Sequence, residues 1–252
     1  MGPDGGLPQC RAVRTVTGHA PRSPAQRDLL VAVVALALLL CWEASGLDLM
    51  LAGWYGGATG FAAREAWWSK HLLHDGGRWL AAMALLAFTV HAWIGGAGQP
   101  LPRRTRLAWM LAVLAGLVLV PALKRFSHSS CPWDLRDFGG SVPYVPHWAI
   151  GVFDGGPGHC FPSGHAVAAF AFLPLYFQWR SHRPELARGV LVAVLSVGLL
   201  FGWAQMARGA HFPSHTLWSA WLCWVVGCAA ARLLDGRRAK GYVAVAGANS
   251  SA

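Results

Sequence analysis

Cys160-Phe161-Pro162-Ser163-Gly164-His165 ends in a Pro-Ser-Gly-His turn that runs straight into an apolar stretch at 166–179. A turn of this kind places backbone N–H groups, a hydroxyl and an imidazole at the start of a helix. The N–H groups of a helix's first turn have no intrahelical partner, and the helix dipole favours negative charge there, so the turn is a ready anion site. Pro and Ser are also ordinary helix-start residues, so the tetrapeptide alone reads equally well as a plain cap. What decides between the two readings is which other residues the chain brings to the same place.

Composition sets the class. Hydrophobic residues make up 55% of the 252 and charged residues only 13%, too few charges to cover a soluble surface of this size. Several apolar runs approach the length of a bilayer crossing, roughly 17–25 residues. The pattern predicts an all-α, polytopic integral membrane protein built as a six-helix bundle. Its crossings are expected at 29–47, 79–94, 107–123, 163–179, 189–207 and 216–234. The membrane domain then spans 29–235. Residues 1–28, rich in Gly, Pro and Arg without periodicity, read as a disordered cytoplasmic tail, and 236–252 as a second tail. Arg residues precede the first apolar run as in a signal peptide, but the run is longer than the usual cleaved core, which points to a retained anchor. The net charge of +10 lies in short clusters between apolar runs, as membrane loops carry it, and leaves no basic domain for nucleic acid.

Those clusters also give an orientation. With the N-terminus inside, 14 of the 21 Lys and Arg residues fall on the inner side, which predicts that both termini are cytoplasmic. Among the 14 Trp residues, Trp42, Trp79, Trp179, Trp203 and Trp218 fall near predicted helix ends as interfacial anchors. Between the first two crossings, 62–74 is expected to form a short helix on the outer surface with Trp67 and Trp68 in the headgroup region. The following His74-Asp75-Gly76-Gly77-Arg78 is either a charged cap or a place where Arg78 meets a phosphorylated headgroup.

This topology brings three polar segments to one face. They are Lys124-Arg125-Phe126-Ser127-His128-Ser129-Ser130-Cys131-Pro132-Trp133-Asp134, the opening stretch with His165, and Arg208-Gly209-Ala210-His211-Phe212-Pro213-Ser214-His215. Each has a bland reading, such as a snorkelling Lys124 or a rim His211. Together they gather Lys, Arg, His, Ser and free N–H groups at the mouth of a bundle, a combination with no structural purpose there. Metal-free phosphoryl transfer does call for it. Cations and N–H groups hold the charged oxygens, one imidazole attacks in line, and another protonates the departing oxygen. Histidine suits both tasks because its pKa lies near neutrality.

The three segments resemble the motifs of the type 2 phosphatidic acid phosphatase family of lipid phosphate phosphatases, which shares its site with vanadium haloperoxidases. The family's first motif is Lys, six residues, Arg-Pro; here Lys124 is followed at that spacing by Cys131-Pro132. The second, Pro-Ser-Gly-His, is matched in full by Pro162–His165. The third is Ser-Arg, five residues, His, three residues, Asp. Here His211 fits, but Gln205 stands at the Arg position and His215 at the Asp position. The resemblance covers 124–215 and implies a membrane phosphatase without a metal or other cofactor, acting on a phosphorylated lipid. It further implies His211 as the nucleophile that becomes phosphohistidine, His165 as the acid, and Lys124, Ser163 and the Gly164 N–H as phosphate-binding groups. A soluble haloperoxidase is excluded by the hydropathy.

The departures define further expectations. Arg208, three residues after Gln205, is expected to replace the missing third-motif Arg, and Arg136 or Arg125 the missing first-motif Arg. His215 is expected to orient His211, with Asp134, Asp137 or Asp154 as sources of the absent carboxylate. Of the six Cys, only Cys131 and Cys160 fall outside the membrane on the outer side, where an oxidising environment permits a disulfide between the first and second motifs. The substrate expected is the phosphate or pyrophosphate ester of a lipid at the extracytoplasmic face of a bacterial inner membrane. A phosphotransferase using the same site is the alternative. A metal protein with His165, His211 and His215 as ligands is disfavoured by the nearby Lys124 and Arg208.

Overall fold

The computed structural model describes residues 22–96, 100–149 and 151–249, with side chains described as far as residue 235. The chain is almost wholly helical: α1 (Pro24–Ala44), α2 (Leu47–Ala52), a π-helical segment (Trp68–Asp75), α3 (Gly76–Ile94), α4 (Arg103–Arg125), α5 (Gly164–Phe170), α6 (Pro174–Trp179), α7 (Pro184–Ala207) and α8 (Pro213–Asn249). Among the described residues the sheet content is one tiny antiparallel hairpin, β1 (Gly56–Gly57) with β2 (Gly60–Phe61).

Among the described residues, five helical segments are long and apolar enough to cross a membrane: Pro24–Ala44, Trp68–Ile94, Arg103–Arg125, Pro184–Ala207 and Pro213–Asp235. Their outward faces carry bare apolar side chains such as Leu38, Met83, Leu111, Val118 and Val192. In water such a surface would aggregate; in a bilayer it faces lipid. The chain is an integral membrane protein.

The stretch at 163–179, expected as one crossing, is instead two short helices joined at 171–173. Pro174 lacks a backbone donor and clashes with an unbroken helix, but it suits the first turn of a new one, so α6 begins on it. This interrupted rod is the axis of the molecule. Phe170 and Leu173 are buried, and α5 packs against α3, α4, α7 and α8. Small residues make that approach possible. The Phe170 ring lies against Gly198 of α7 and the Phe177 ring against Gly227 of α8, where any Cβ would overlap them.

Helix ends differ from the hydropathy-based ones because polar residues continue the helices beyond the apolar core. α1 begins at Pro24, five residues before 29, on a capping box in which the Ser23 hydroxyl accepts from Gln26 N–H (3.3 Å) and the Gln26 side chain accepts from Ser23 N–H (2.8 Å). Asp28 then pairs with Arg180 at 2.6 Å, tying α1 to the end of α6. Of the predicted N-terminal tail, 1–21 lies outside the described residues. At the other end α8 continues to Asn249, through most of the predicted C-terminal tail. The predicted surface helix at 62–74 is the π-helical segment, which runs directly into α3. Trp68 stacks on Trp203 of α7 with ring centroids 5.6 Å apart.

At the end of the bundle where α1, α4 and α7 finish, a small second core forms a roof. Ala52, Phe61, Leu135, Phe138, Val142 and Phe212 bury one another there, drawn from the hairpin, the 131–142 loop and the turn before α8. Gly209 holds φ +74° directly under the Phe61 ring, so both its backbone angle and the lack of space require glycine.

A candidate active site under the roof

The three polar segments are laced together by backbone hydrogen bonds. His159 N–H donates to Ser127 C=O (2.8 Å) and Cys160 N–H to Ser129 C=O (3.0 Å), joining the loop after α4 to the approach of the Pro-Ser-Gly-His turn. Trp133 N–H donates to Gly209 C=O (3.0 Å) and Ser163 N–H to His215 C=O (3.1 Å), joining both to the turn before α8. The Ser219 hydroxyl contacts the carbonyls of Ser163 and His215, each at 2.9 Å. A disulfide between Cys131 and Cys160 adds a covalent tie, with their Cα atoms 5.1 Å apart. Residues far apart in sequence are therefore held as one rigid cluster.

Within it, Ser163 is the N-cap of α5 and Gly164 its first residue. The Ser163 hydroxyl is completely buried and has no hydrogen-bond partner among the described residues. Lys124 reaches over from the end of α4, its Nζ 3.9 Å from where a Cβ on Gly164 would sit. His165 lies within electrostatic reach of Lys124, Arg208, Arg78 and His74. His211, 2% exposed, lies close enough to Lys124 and His165 to feel their charge. Burial pushes the His211 imidazole well below its ordinary value, and the neighbouring Lys124 adds to the effect, so the ring is neutral at pH 7. Arg208 is also buried, its Nε donating to the Arg64 carbonyl at 3.1 Å. An orphan hydroxyl, helix-start N–H groups and two cations thus converge beside two imidazoles.

At the position of the family's carboxylate stands His215. Its Nδ1 lies 3.4 Å from His211 Nδ1, and the Cys160 backbone lies beside both imidazoles. Cys160 Sγ sits 3.6 Å from His211 Nδ1. None of the three aspartates takes that place. Asp134 accepts from Cys131 N–H (3.2 Å), Asp154 accepts from Ser130 N–H (2.7 Å) and Gly156 N–H (2.9 Å), and Asp137 is exposed. They shape the loop because short acidic side chains satisfy nearby turn N–H groups first. Arg136 likewise is exposed and donates to the Ser141 carbonyl at 3.0 Å, so it is a loop brace outside the cluster; Arg125 is exposed too. The cation that joins the cluster is Arg208.

Three groups had little sequence signal. Asp48, from α2, is buried and accepts from Trp42 Nε1 (2.9 Å), Ser214 N–H (3.0 Å) and the Ser214 hydroxyl, so it caps α8 two residues after Phe212. His147, from the long loop, stacks on Phe161 at 3.8 Å with its Nε2 3.3 Å from Glu43, which also accepts from Trp218 Nε1 at 2.8 Å. His74 packs on His165. Only the odd His74–Arg78 turn hinted at one of them.

Cys160, His211 and His215 place one ligand-type atom each within 4.8 Å of one another. As a metal site the trio is incomplete, because the Cys160 sulfur is spent in the disulfide. Below the cluster, an apolar groove of about 260 Å³ opens between α3, α5 and α7, lined by Ala84, Ala168, Phe172, Val194 and Val197 among others.

Reduction of the disulfide tests how far the cluster depends on it. Opening the 29-residue separation frees unfolded-chain entropy worth about 3–4 kcal/mol in the chain-entropy account. Reductant, or Cys131→Ser, should lower the unfolding temperature in detergent. Equal unfolding temperatures with and without reductant would show that the backbone lacing alone suffices.

A stretch of 94 residues is 29% identical to phosphatidylglycerophosphatase B of Haemophilus influenzae, covering 36% of this chain and 39% of that protein. The match thus spans about two-fifths of the relative's length. A solved structure, the first transmembrane PAP2-type phosphatidylglycerolphosphate phosphatase from Bacillus subtilis, aligns over 84% of this chain and 96% of its own at 16% identity, with a TM-score of 0.49. The sequence profile of the PAP2 superfamily matches residues 105–239, more than half of the chain and all three motif segments, and the chain belongs to that superfamily.

Proposed function

We propose that this protein is a membrane-bound phosphatase that hydrolyses the phosphate or pyrophosphate ester of a lipid through a phosphohistidine intermediate. The observation that carries the reading is the buried Ser163 hydroxyl at the start of α5, without a hydrogen-bond partner among the described residues and next in the chain to Gly164, over which Lys124 reaches. A buried hydroxyl without a partner costs about 1–3 kcal/mol, and a phosphoryl oxygen bound there would remove that cost.

In this mechanism Lys124, Arg208, the Ser163 hydroxyl and the Gly164 N–H bind the phosphoryl oxygens and stabilise the charge that develops on them. His211 attacks phosphorus through Nε2, which requires its proton on Nδ1, the edge that faces His215. The P–O bond to the lipid breaks as His165 gives its proton to the departing oxygen. Water, deprotonated by the now neutral His165, then attacks the phosphohistidine, releasing inorganic phosphate and restoring both imidazoles. No step calls for a metal. The excess of Lys and Arg at the opposite end supports a site facing the periplasm or exterior of a bacterial inner membrane. The apolar groove beneath the cluster favours a lipid, whose chains can stay in the bilayer while the headgroup enters. Transfer of the phosphoryl group to an alcohol instead of water uses the same residues.

Phosphate release from a panel of lipid phosphates, in chelator and across pH, tests the reading. Phosphatidylglycerophosphate comes first, because the Haemophilus relative is named for it. Activity should survive chelation. Because burial lowers the His211 pKa, the nucleophile stays unprotonated as pH falls, so the acid limb of kcat/KM should lie below the 6.5 of a free imidazole. Loss of activity in chelator would favour the metal reading, and an acid limb at or above 6.5 would contradict a buried nucleophile.

A further inference from the structure

Outside the three motif segments, the π-helical segment brings one ionisable ring onto the residue assigned as the acid. The His74 and His165 rings lie with centroids 4.1 Å apart and planes tilted by 37°. His74 Nδ1 is 2.8 Å from Asp75 Oδ1, and His71 Nδ1 is 3.3 Å from Asp75 Oδ2. The His74 side chain is 23% exposed, whereas Asp75 at 47% and His71 at 54% are open to solvent. The local backbone explains the arrangement. Gly76 N–H bonds to the carbonyl of His71, five residues back, and such widened turns reduce the angle between successive residues so that His74 and Asp75 can meet side by side. π-helical turns are rare and cluster at functional sites.

We propose that His74, held by Asp75, is a positioning residue of this site: its ring backs the His165 imidazole and its charge helps to set the pH range in which His165 holds its proton. The inference rests on His165 being the acid. Among the described residues, the groups whose charge acts on His165 are basic: His74 from the π-helical segment, with the Asp75 carboxylate behind it, Arg78 from α3, Lys124 from α4, Arg208 from the turn after α7, and His211 from the stretch before α8. An acid among so many cations gives up its proton readily, which helps protonate an alkoxide. It also loses that proton at lower pH, so the charge on the nearest of these neighbours matters most. Asp75 acts through His74: its carboxylate fixes the ring. Its own exposure to solvent screens any direct action on His165.

Three variants separate packing from electrostatics. His74→Phe keeps a ring against His165 but removes a group that competes with it for positive charge. The alkaline limb of its kcat profile should move upward by about half a pH unit at low salt, a roughly threefold change in proton affinity. His74→Ala also removes the backing, and kcat should fall about tenfold with little change in KM, because the bound substrate is untouched while the acid wanders. Asp75→Asn should shift the alkaline limb in the native background and leave it unmoved in the His74→Phe background, since its route to the site is then cut. A His74→Phe profile superimposable on the native one, or an Asp75→Asn shift that persists without His74, would overturn the inference. If His74→Ala does not fold, the Phe pair still decides. His165→Ala is measured alongside. Retained turnover there would defeat the assignment of the acid, whereas an inert His165→Ala with an unmoved His74→Phe profile defeats only the role of His74.

Discussion

His211→Ala should abolish phosphate release from every lipid phosphate, by at least about 10³-fold, in protein that is otherwise folded. Deleting a covalent nucleophile removes the reaction path itself, and losses of this order or greater follow when a catalytic unit is broken. The comparison with His165→Ala sharpens the test. A lipid alkoxide is a poor leaving group and needs the proton that His165 supplies, so His165→Ala should also be inert towards lipid esters. With p-nitrophenyl phosphate, whose phenolate departs unaided, His165→Ala should still form the phosphohistidine and show a burst of nitrophenolate, then stall because no base activates the water. His211→Ala should give neither burst nor turnover. Near-native turnover by His211→Ala on any of these substrates would defeat the mechanism.

Asp48→Ala should cost the fold more than about 3 kcal/mol. Its carboxylate receives Trp42 Nε1–H, Ser214 N–H and the Ser214 hydroxyl in a buried setting, linking the end of α1 and α2 to the start of α8. Alanine leaves those donors orphaned, at about 1–3 kcal/mol each. Burial raises the Asp48 pKa and the donors from Ser214 and Trp42 pull it back, so the site depends on all of them. Asp48→Asn should cost less, since an amide oxygen still accepts. Thermal unfolding in detergent measures both. An Asp48→Ala protein melting within about 2 °C of the native one would show that the cap does not hold α8. Because Ser214 follows His211 by three residues, the same variant should also lower turnover by displacing the nucleophile.

Much of this protein was legible in its sequence because the relevant signals are local. Apolar run length reports bilayer crossings directly, and Pro162–His165 places a hydroxyl and N–H groups at a helix start whatever surrounds them. Lys124 and His211 came from the topology and from the resemblance to the family's first and third motifs. The replacements were legible only in part: Arg208 and His215 could be named from their spacing, but the Cys160 backbone beside His211 is a group every residue carries, so nothing in the sequence singles it out. Arg136, Asp134 and Asp154 looked suitable by charge, but nearer turn groups claimed them. The break at Pro174 was written in the chain, yet hydropathy averages over it.

By itself, the sequence determined an all-α membrane protein with a polar turn, rich in free N–H groups, at one helix start, since hydrophobicity and turn chemistry act within a few residues. Only the tertiary structure decided which side chains meet there. The burial of α5 and α6 as the axis, the cap from Asp48, the contact of His74 with His165 and the Cys160 backbone beside His211 all join residues far apart in the chain. Such contacts depend on how helices pack against one another, and no local pattern encodes that.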